Sequence, residues 1–369
     1  MSLRIVVSGM LAGVPGQGGA SWAVLQYVLG LRRLGHDVVF VEPAAPAAAT
    51  RAYFDDLVAR FDLRDRAALL DPATGACSGI DRARLLELAA GADLLLNISG
   101  LLADEELLAA IGVRAFVDLD PAFTQLWCAA DGLDMGFDRH NRFVTIGGRI
   151  GSDGCCVPTC GRDWITTLQP IVLEHWPVAD RARHGALTTV GHWRAYGSIE
   201  HGGVHYGQKA HALRALLELP RRADARFELA LGIHRDEWRD LAALDVHGWE
   251  LLDPDAVAGT PDAYAAFVRG SWAEFGLAKS GYAASACGWF SDRSVCYLAS
   301  GRPVLALDTG FAADIPTGDG LLAFSTVEEA VGGVAELRGG YERHRRAARA
   351  LAEDLFHSDR VLGRLLACL

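Results

Sequence analysis

Lysine is almost absent from this chain of 369 residues. Lys209 and Lys279 are the only lysines among its 35 basic residues, and the others are arginines. This bias, with many alanines and glycines, is typical of a GC-rich genome, in which arginine replaces lysine wherever either side chain serves. A lysine that remains in such a background indicates a position that needs a compact point charge.

Long apolar runs and an excess of positive charge are also absent. No stretch reaches the roughly 18 apolar residues that would cross a bilayer, so we expect no membrane span. The formal net charge of −11 argues against nonspecific binding to nucleic acid or to an anionic membrane. The first residues lead straight into a strand, without a charged and then apolar leader, so we expect a cytoplasmic protein.

The cysteines lack the spacing of a metal site. Of the eight, only Cys155, Cys156 and Cys160 cluster, and no second cysteine or histidine pair with finger-like spacing follows them. We therefore expect free thiols in a reducing compartment, with a zinc site as the less favoured alternative.

The length predicts two domains, each large enough for its own core. Alternating strands and helices predict an α/β protein with two Rossmann-like domains. We place the first at residues 1–173, a linker at 174–186, the second domain at 187–356, and a C-terminal helix that returns to the first domain at 357–369. Within this plan we expect helical structure with polar breaks at 51–90.

Two further segments receive definite predictions. Trp164–Leu173 is expected to form the closing helix of the first domain, and residues 191–208 are expected to form a loop. Lys209 follows that loop at the start of a helix, which would suit a cation facing a phosphate group, although a solvated helix end is an equal alternative.

The N-terminal segment contains a near-match to a dinucleotide-binding fingerprint. A strand at Leu3–Ser8 leads into a glycine-rich loop at Gly9–Gly19, and the second strand, Asp37–Val41, is followed by Glu42. In the fingerprint the glycines follow the first strand directly, whereas here the glycine cluster arrives eight or more residues later. The match is therefore weak.

The most informative stretch spans residues 275–311. It predicts a strand at Phe275–Lys279, a small-residue loop at Gly281–Phe290, a helix at Asp292–Ser300 with Ser291 as its N-cap, and a strand at Val304–Asp308. Such a βαβ unit implies parallel pairing and a right-handed crossover.

Polar groups concentrate at the start of this helix. Ser291, Ser294 and the free N–H groups of the first turn form a potential anion site, to which Arg293 adds a full charge. The loop Thr309–Phe311 lies at the carboxyl end of the next strand, on the sheet edge where open α/β sheets bind ligands. The alternative is that this is an ordinary capped helix.

This segment resembles the donor-binding half of GT-B glycosyltransferases, in which a Gly/Ser loop and a helix ending in A-S-G-R-P-V hold the pyrophosphate of a nucleotide-sugar. The resemblance extends over the whole chain as two Rossmann-like halves that face a cleft. Retaining members usually carry two glutamates eight positions apart here, and this chain has Gly288 and Cys296 at those positions. The retaining assignment is therefore not supported, and inverting chemistry is preferred, with the stereochemistry left open.

The resemblance implies specific roles for residues of both domains. It implies contacts with the nucleotide-sugar donor for Gly18, Gly19, Lys209, Trp289, Ser291, Asp292, Arg293, Ser294, Thr309, Gly310 and Phe311. It implies contacts with the acceptor for Gln17 and Asn97. Asp120, at the carboxyl end of a strand, is the expected general base, with a turn residue before Pro121 as the equal alternative. Asp118 and Asp120 also form an Asp-x-Asp pattern, which gives metal binding as a weaker alternative.

The expected function is that of a metal-independent glycosyltransferase of hexosyltransferase type. It would use no cofactor beyond the nucleotide-diphosphate sugar. Its partners would be that donor and a small-molecule acceptor, such as a secondary metabolite. A homodimer is left open, and no nucleic-acid partner is expected. The alternatives are a nucleotide-sugar epimerase of the same fold, a noncatalytic nucleotide-sugar-binding protein and, more weakly, a dehydrogenase.

Overall fold

A computed structural model describes residues 2–180, 182 and 185–369 of the chain. Within these residues the first lobe contains one sheet with the strand order β4-β3-β2-β1-β5-β6-β7-β8. Its neighbouring strands are parallel, except that β3 and β4 are antiparallel. The strands are β1 (Arg4–Ser8), β2 (Asp37–Pro43), β3 (Ala67–Leu70), β4 (Cys77–Gly79), β5 (Leu94–Ile98), β6 (Arg114–Asp118), β7 (Arg142–Thr145) and β8 (Trp164–Thr166).

The second lobe contains a parallel sheet with the order β13-β12-β9-β14-β15-β16 and a separate antiparallel hairpin, β10-β11. The strands are β9 (Leu187–His192), β10 (Ile199–His201), β11 (Val204–Tyr206), β12 (Phe227–Gly232), β13 (Glu250–Leu251), β14 (Ala273–Gly276), β15 (Val304–Leu307) and β16 (Leu321–Phe324). Central strands such as β15 are buried along most of their length because helices cover both faces of a parallel sheet.

Helices connect the strands in both lobes. Those of the first lobe are α1 (Gly18–Arg33), α2 (Ala48–Arg60), α3 (Arg82–Ala90), α4 (Glu105–Ala110) and α5 (Phe123–Ala129). Those that follow are α6 (Lys209–Arg214), α7 (Leu219–Ala223), α8 (Trp238–Val246), α9 (Pro254–Ala258), α10 (Pro261–Gly270), α11 (Ser280–Ser285), α12 (Asp292–Ala299), α13 (Val327–Gly339), α14 (Tyr341–Leu351) and α15 (Ser358–Cys368). None of these helices combines the length and the apolar character needed to cross a membrane.

The βαβ unit expected around α12 is confirmed. Helix α12 begins at Asp292, and the Ser291 hydroxyl accepts the N–H of Arg293 as its N-cap. Gly301 then adopts a φ of +65°, which lets the chain leave the helix, and Pro303 precedes β15. The loop expected before α12 is shorter than predicted, because residues 280–285 form helix α11.

Three other expectations are wrong. The segment predicted as the closing helix of the first lobe begins instead with β8, which pairs with β7 through Val144 and Ile165. Consecutive β-branched residues favour that edge strand. Residues 51–90 include β3 and β4, and the segment predicted as a loop at 191–208 contains the hairpin β10-β11.

The end of the chain packs on the first lobe. Ile171 pairs with the backbone beside His357, and Arg33 forms an ion pair with Asp359 at 2.9 Å. Gly30 of α1 must lack a side chain, because a Cβ there would lie 2.6 Å from Leu362. Helix α15 therefore connects the second lobe back to α1.

Candidate functional site

The carboxyl ends of the two parallel sheets face each other across a cleft. A cavity of about 420 Å³ lies in this cleft. Its walls come from the glycine-rich loop and α1 of the first lobe and from the ends of β9 and β12, α9, α10 and α12 of the second lobe. The lining residues are Gly16, Gln17, Gly19, Ala20, Val190, Gly191, His192, Gly232, Pro254, Asp255, Ala258, Tyr264, Asp292 and Arg293. We call this space the interlobe cavity.

The glycines at the start of α1 allow the lobes to approach closely. A Cβ at Gly18 would lie 2.1 Å from the carbonyl oxygen of Thr260, and a Cβ at Gly19 would lie 2.9 Å from the ring of Tyr264. Gly18 therefore packs against the second lobe, and its contact with the donor stays a prediction. Gly19 and Gln17 line the interlobe cavity as well.

Lys209 lies at the first turn of α6, behind the cavity wall. Its ammonium nitrogen is 3.4 Å from the point where a side chain at Gly191 would begin, so the glycine leaves the cation within reach of the cavity. No hydrogen bond or ion pair links this ammonium group to any described residue. Withdrawal from water and the nearby charges of Arg293 and Lys279 lower the pKa of Lys209 to about 7.

His192 ends β9 on the same wall of the cavity. Its side chain reaches solvent at the edge of the cavity, and partial withdrawal of the ring from water, together with the charges of Lys209 and Lys279, lowers its pKa. The wall thus gathers basic groups at the carboxyl edge of the second sheet, where an anionic ligand would be favoured.

The predicted anion site at the start of α12 is largely used by the protein itself. Arg293 is buried and donates to Glu274 at 2.6 Å and to the carbonyl of Val190 at 2.9 Å. Ser291 is buried and caps the helix, and Ser294 is buried beside Glu274. Both serine hydroxyls thus have partners within the protein, and their contact with a diphosphate stays a prediction.

Asp292 and Arg293 nevertheless face the interlobe cavity. The Asp292 carboxylate is half-buried, and burial raises its pKa, an effect that Arg293 and Lys209 oppose. A carboxylate in this position can accept hydrogen bonds from hydroxyl groups of a ligand.

The loop after β15 does not reach the cavity. Thr309 is buried and donates its hydroxyl to the carbonyl of Trp289, and Gly310 supplies a turn with a φ of +94°. Phe311 packs on Phe290 with ring centroids 5.0 Å apart. These three residues support the neighbouring loop, and their contact with the sugar stays a prediction.

Trp289 and Asn97 also contact other residues of the protein. Trp289 is half-buried, lies 4.5 Å from the ring of Tyr282 and pairs with the backbone of Gly147 across the cleft. Asn97 is fully buried, and its amide exchanges hydrogen bonds with the backbone of Leu102 at 2.9 and 3.0 Å. Trp289 thus makes an interlobe contact and Asn97 supports a loop, and their predicted donor and acceptor contacts stay predictions.

Asp120 lies in the cleft beside the cavity, but it faces a cation from the other lobe. The Lys279 ammonium group, at the N-cap of α11, contacts both carboxylate oxygens at 2.8 Å. Tyr196 and Tyr282 donate their hydroxyls to the same carboxylate. The rings of Phe123, Tyr196 and Tyr282 surround the ammonium group at 4.3–5.0 Å. We call these five residues the interlobe latch.

The latch leaves Asp120 without a free acceptor position. A carboxylate offers about four such positions. Here each oxygen accepts two hydrogen bonds: Oδ1 from Lys279 and Tyr282, and Oδ2 from Lys279 and Tyr196. A general base must accept a new proton through a free lone pair. In this arrangement Asp120 has no lone pair free to accept a proton, and its role as general base stays a prediction.

The carboxylates of the Asp-x-Asp pattern are both engaged by donors of the protein. Asp118 is buried, and its carboxylate accepts hydrogen bonds from Thr124, Gln125 and Thr145 at 2.7–2.8 Å. Burial raises its pKa, against the effect of these donors. Because Asp120 is also fully engaged, neither carboxylate is open to a cation.

Another group in the described residues has acidic and histidine side chains close together, namely Asp319, Glu336 and His344. Arg343 donates to both carboxylates, so they already share a cation. The His344 Nδ1 accepts the N–H of Gly320 at 3.1 Å, which places the proton of the neutral ring on Nε2. These side chains therefore form an ion-pair network with Arg343 at the start of α14.

Sequence reasoning missed several residues that line the cavity or the latch. Gly191 and His192 are the last residues of β9, at the sheet edge where a ligand is expected. Asp255 and Tyr264 belong to helices whose orientation the sequence does not specify. Lys279 was noted as one of only two lysines, but no site was assigned to it because its partner Asp120 lies 159 residues away.

The sequence matches no protein-family model and no curated protein. Solved structures match over its whole length. AviGT4, a glycosyltransferase involved in avilamycin A biosynthesis, is 14% identical with a TM-score of 0.54, over 99% of this chain and 96% of that one. HepE from Anabaena, in complex with UDP-glucose, is 12% identical with a TM-score of 0.59 over 100% of both chains. An alpha-glucosyltransferase in complex with UDP and a 13-mer DNA containing a HMU base is 12% identical with a TM-score of 0.63, over 100% of this chain and 99% of that one.

These neighbours are glycosyltransferases of the GT-B type, and the chain has their fold. The fold class expected from the sequence, two Rossmann-like domains facing a cleft, is thereby confirmed.

Proposed function

We propose that this protein is a glycosyltransferase that moves a hexose from a nucleotide-diphosphate sugar to a small-molecule acceptor without a metal ion. One observation carries the proposal. In a cleft between two Rossmann-like lobes, the ammonium group of Lys209 lies behind Gly191 at the cavity wall with no hydrogen-bond or ion-pair partner among the described residues, and Asp120 and Asp292 favour its charge only from a greater distance. A diphosphate in the interlobe cavity would supply that partner.

The cavity walls suggest how a nucleotide-sugar would be oriented. Pro254 and Ala258 form an apolar surface next to Gly232 that suits a nucleobase. The diphosphate would then lie toward Lys209 and the edge of Arg293, with the sugar hydroxyls near the Asp292 carboxylate.

The chemistry that these groups provide is stabilisation of the leaving group. As the bond between the sugar and the diphosphate breaks, negative charge develops on the diphosphate oxygens. Lys209 and Arg293 are held in place before the reaction, so they can stabilise that charge without reorganisation. Contact between the lobes at Gly18 and at the interlobe latch limits the access of water, which would otherwise hydrolyse the donor.

The acceptor is proposed to enter from the first lobe, where Gly16 and Gln17 line the cavity. The neighbours with the same fold include one involved in avilamycin A biosynthesis and one in complex with DNA. The net charge of −11 favours a small molecule over DNA, because a polyanion would be repelled.

Metal independence is supported by the engagement of the acidic residues of the cleft. Asp118 and Asp120 are saturated by protein donors. Asp292 already interacts with the charges of Arg293 and Lys209. The cations of the protein itself would therefore perform the charge neutralisation that a metal ion performs elsewhere.

A thermal-shift panel of UDP, GDP, ADP, dTDP and their sugars tests the proposal. We expect one nucleotide family to raise the melting temperature, because a ligand that binds the folded state stabilises it in proportion to its affinity. Incubation of that nucleotide-sugar with a set of acceptors, followed by mass spectrometry, should give a glycosylated product that survives added EDTA. Stabilisation by no nucleotide would contradict the proposal.

A noncatalytic nucleotide-sugar-binding protein is the second candidate. The observation that favours it is the saturation of Asp120 by the interlobe latch, together with Gly288 and Cys296 at the positions of the two glutamates. This candidate predicts the same thermal stabilisation but neither transfer to an acceptor nor hydrolysis of the donor.

A further inference from the structure

Glu42, at the end of β2, is a buried acid that the proposed mechanism does not use. Its side chain is 1% exposed, and its carboxylate forms no ion pair among the described residues. Its two oxygens instead accept backbone N–H groups, from Ala12 at 2.8 Å and from Gly13 at 2.6 Å. Burial raises the pKa of Glu42 to about 7, and these backbone donors oppose that effect.

Both accepted groups belong to the glycine-rich loop, residues 9–17. A Cβ at Gly13 would lie 2.9 Å from a Glu42 oxygen, so the close approach of the carboxylate requires glycine there. The next anchor is Ser21, which donates to the carbonyl of Leu11 at 2.7 Å. Donors and acceptors of three consecutive residues of the loop are thus fixed from β2 and from α1.

The anchored part of the loop leads directly to the interlobe cavity. After Gly13 the chain passes through exposed Val14 and reaches Gly16 and Gln17, which line the cavity. Only two residues separate the anchor from the first lining residue. A shift of the anchor would therefore displace the wall of the first lobe that faces the ligand.

We propose that Glu42 is a positioning residue, which holds the glycine-rich loop so that Gly16 and Gln17 face the nucleotide-sugar. The proposal rests on the proposed function. An acid after the second strand would contact a ribose in a dinucleotide-binding protein, whereas Glu42 is turned toward the loop and does not line the interlobe cavity.

The variant Glu42→Gln tests the anchor directly. Glutamine has nearly the same size, but its NH₂ group must face one of the two backbone donors, so one hydrogen bond to a charged acceptor is lost. We expect amide exchange in a peptide covering residues 9–17 to accelerate about tenfold or more. Gly13→Ala, which pushes the loop away from an intact carboxylate, should accelerate exchange in the same peptide.

Leu85→Ala is the matched control. Leu85 is buried in the first lobe, in a cluster with Val6 and Val41 on the sheet face away from α1. It should destabilise that lobe without selective exchange in residues 9–17. Equal exchange in the peptide for wild type and both loop variants, or equal acceleration in the Leu85→Ala protein, would overturn the proposal.

The ligand readout separates positioning from stability. For the nucleotide-sugar that stabilises the wild type, Glu42→Gln should raise KM about fivefold to tenfold, as expected for one lost charged hydrogen bond, with a smaller change in kcat. Faster exchange with unchanged KM and unchanged nucleotide affinity would overturn the positioning role while leaving the proposed function intact. A wild-type protein that binds no nucleotide would overturn the proposed function, and the exchange data would still decide whether Glu42 holds the loop.

Discussion

The two lysines of this chain lie in the same cleft and differ in their electrostatic surroundings. Lys279 is 7% exposed, contacts both oxygens of Asp120 at 2.8 Å and is enclosed by aromatic rings. Lys209 lies behind Gly191 without a hydrogen-bond or ion-pair partner among the described residues. Burial lowers the pKa of both, for Lys209 to about 7.

This difference separates a structural cation from a cation available to a ligand. A buried charge costs free energy unless it is paired, and Asp120 offsets that cost for Lys279 within the protein. No described residue forms an ion pair with Lys209, and the charges of Asp120 and Asp292 do not outweigh its burial, so a diphosphate would stabilise the charged form. The comparison predicts that loss of one cation changes stability and loss of the other changes binding.

Removal of the charge at Asp120 should have the largest effect. Asp120→Asn leaves the buried ammonium group of Lys279 without its counter-ion, and we expect the free energy of unfolding to fall by about 3 kcal/mol. Chemical denaturation measures this change. The control is Asp314→Asn, which breaks an exposed interlobe ion pair: Asp314 lies 3.6 Å from Arg149, and its side chain is 52% exposed.

The control variant should lose less than about 1 kcal/mol because the Asp314 pair is solvated. The double variant Asp120→Asn with Lys279→Met should recover part of the loss, since it removes both members of the buried pair. Equal stability of Asp120→Asn and Asp314→Asn would show that the latch does not contribute to stability in the way proposed.

Lys209→Met should affect ligand binding more than stability. The variant keeps the unbranched stem but removes the charge, and we expect the affinity for the nucleotide diphosphate to fall about tenfold to a hundredfold. Its stability should be unchanged or higher, because an unpaired charge has been removed. Calorimetric titration measures the affinity. Arg346→Met, at an exposed position, removes the same charge and is the control for net charge.

The fold could be predicted because its signals are local. The cap at Ser291, the turn at Gly301 and Pro303 lie within a few residues of the helix and strand that they delimit, and they were sufficient for the central βαβ unit. The β-branched run at Ile165 was misread as helix because its pairing with β7 depends on residues about 20 positions away.

The site was less predictable because its contacts join distant parts of the chain. Asp120 and Lys279 are 159 residues apart, and no local pattern indicates that they pair. Glu274, an acid within an otherwise apolar strand, was a usable signal that a cation such as Arg293 would be neutralised inside the second lobe. That signal argued against a free anion site at α12, and its significance emerged only from the structure.

The difference between the two lysines can be sharpened by pH. In the empty protein Lys209 loses its proton as pH rises through about 7, and a bound diphosphate would raise its pKa by favouring the charged form. Affinity should therefore be highest below pH 7 and should fall by up to about tenfold per pH unit above it. A nucleotide-sugar is the suitable ligand, because its diphosphate has no ionisation near neutrality.

Proton uptake gives an independent measurement of the same change. Titrations at pH 8 in buffers of different ionisation enthalpy should show uptake of up to about one proton per nucleotide-sugar in the wild type. Lys209→Met should abolish this uptake. Wild-type binding without proton uptake at pH 8 would contradict the assigned partner of the diphosphate.

The smallest effect on binding is expected at the start of α12. Ser291→Ala removes the side chain that accepts the N–H of Arg293, and loss of an N-cap should lower the free energy of unfolding by about 1 kcal/mol. Because the Ser291 hydroxyl is buried and does not line the interlobe cavity, nucleotide affinity should remain within about twofold of the wild type. Chemical denaturation and calorimetric titration on the same preparation measure both quantities. A tenfold loss of affinity with unchanged stability would instead place the diphosphate at the helix start and would reverse the comparison, since Lys209 would then no longer be the principal anion-binding group.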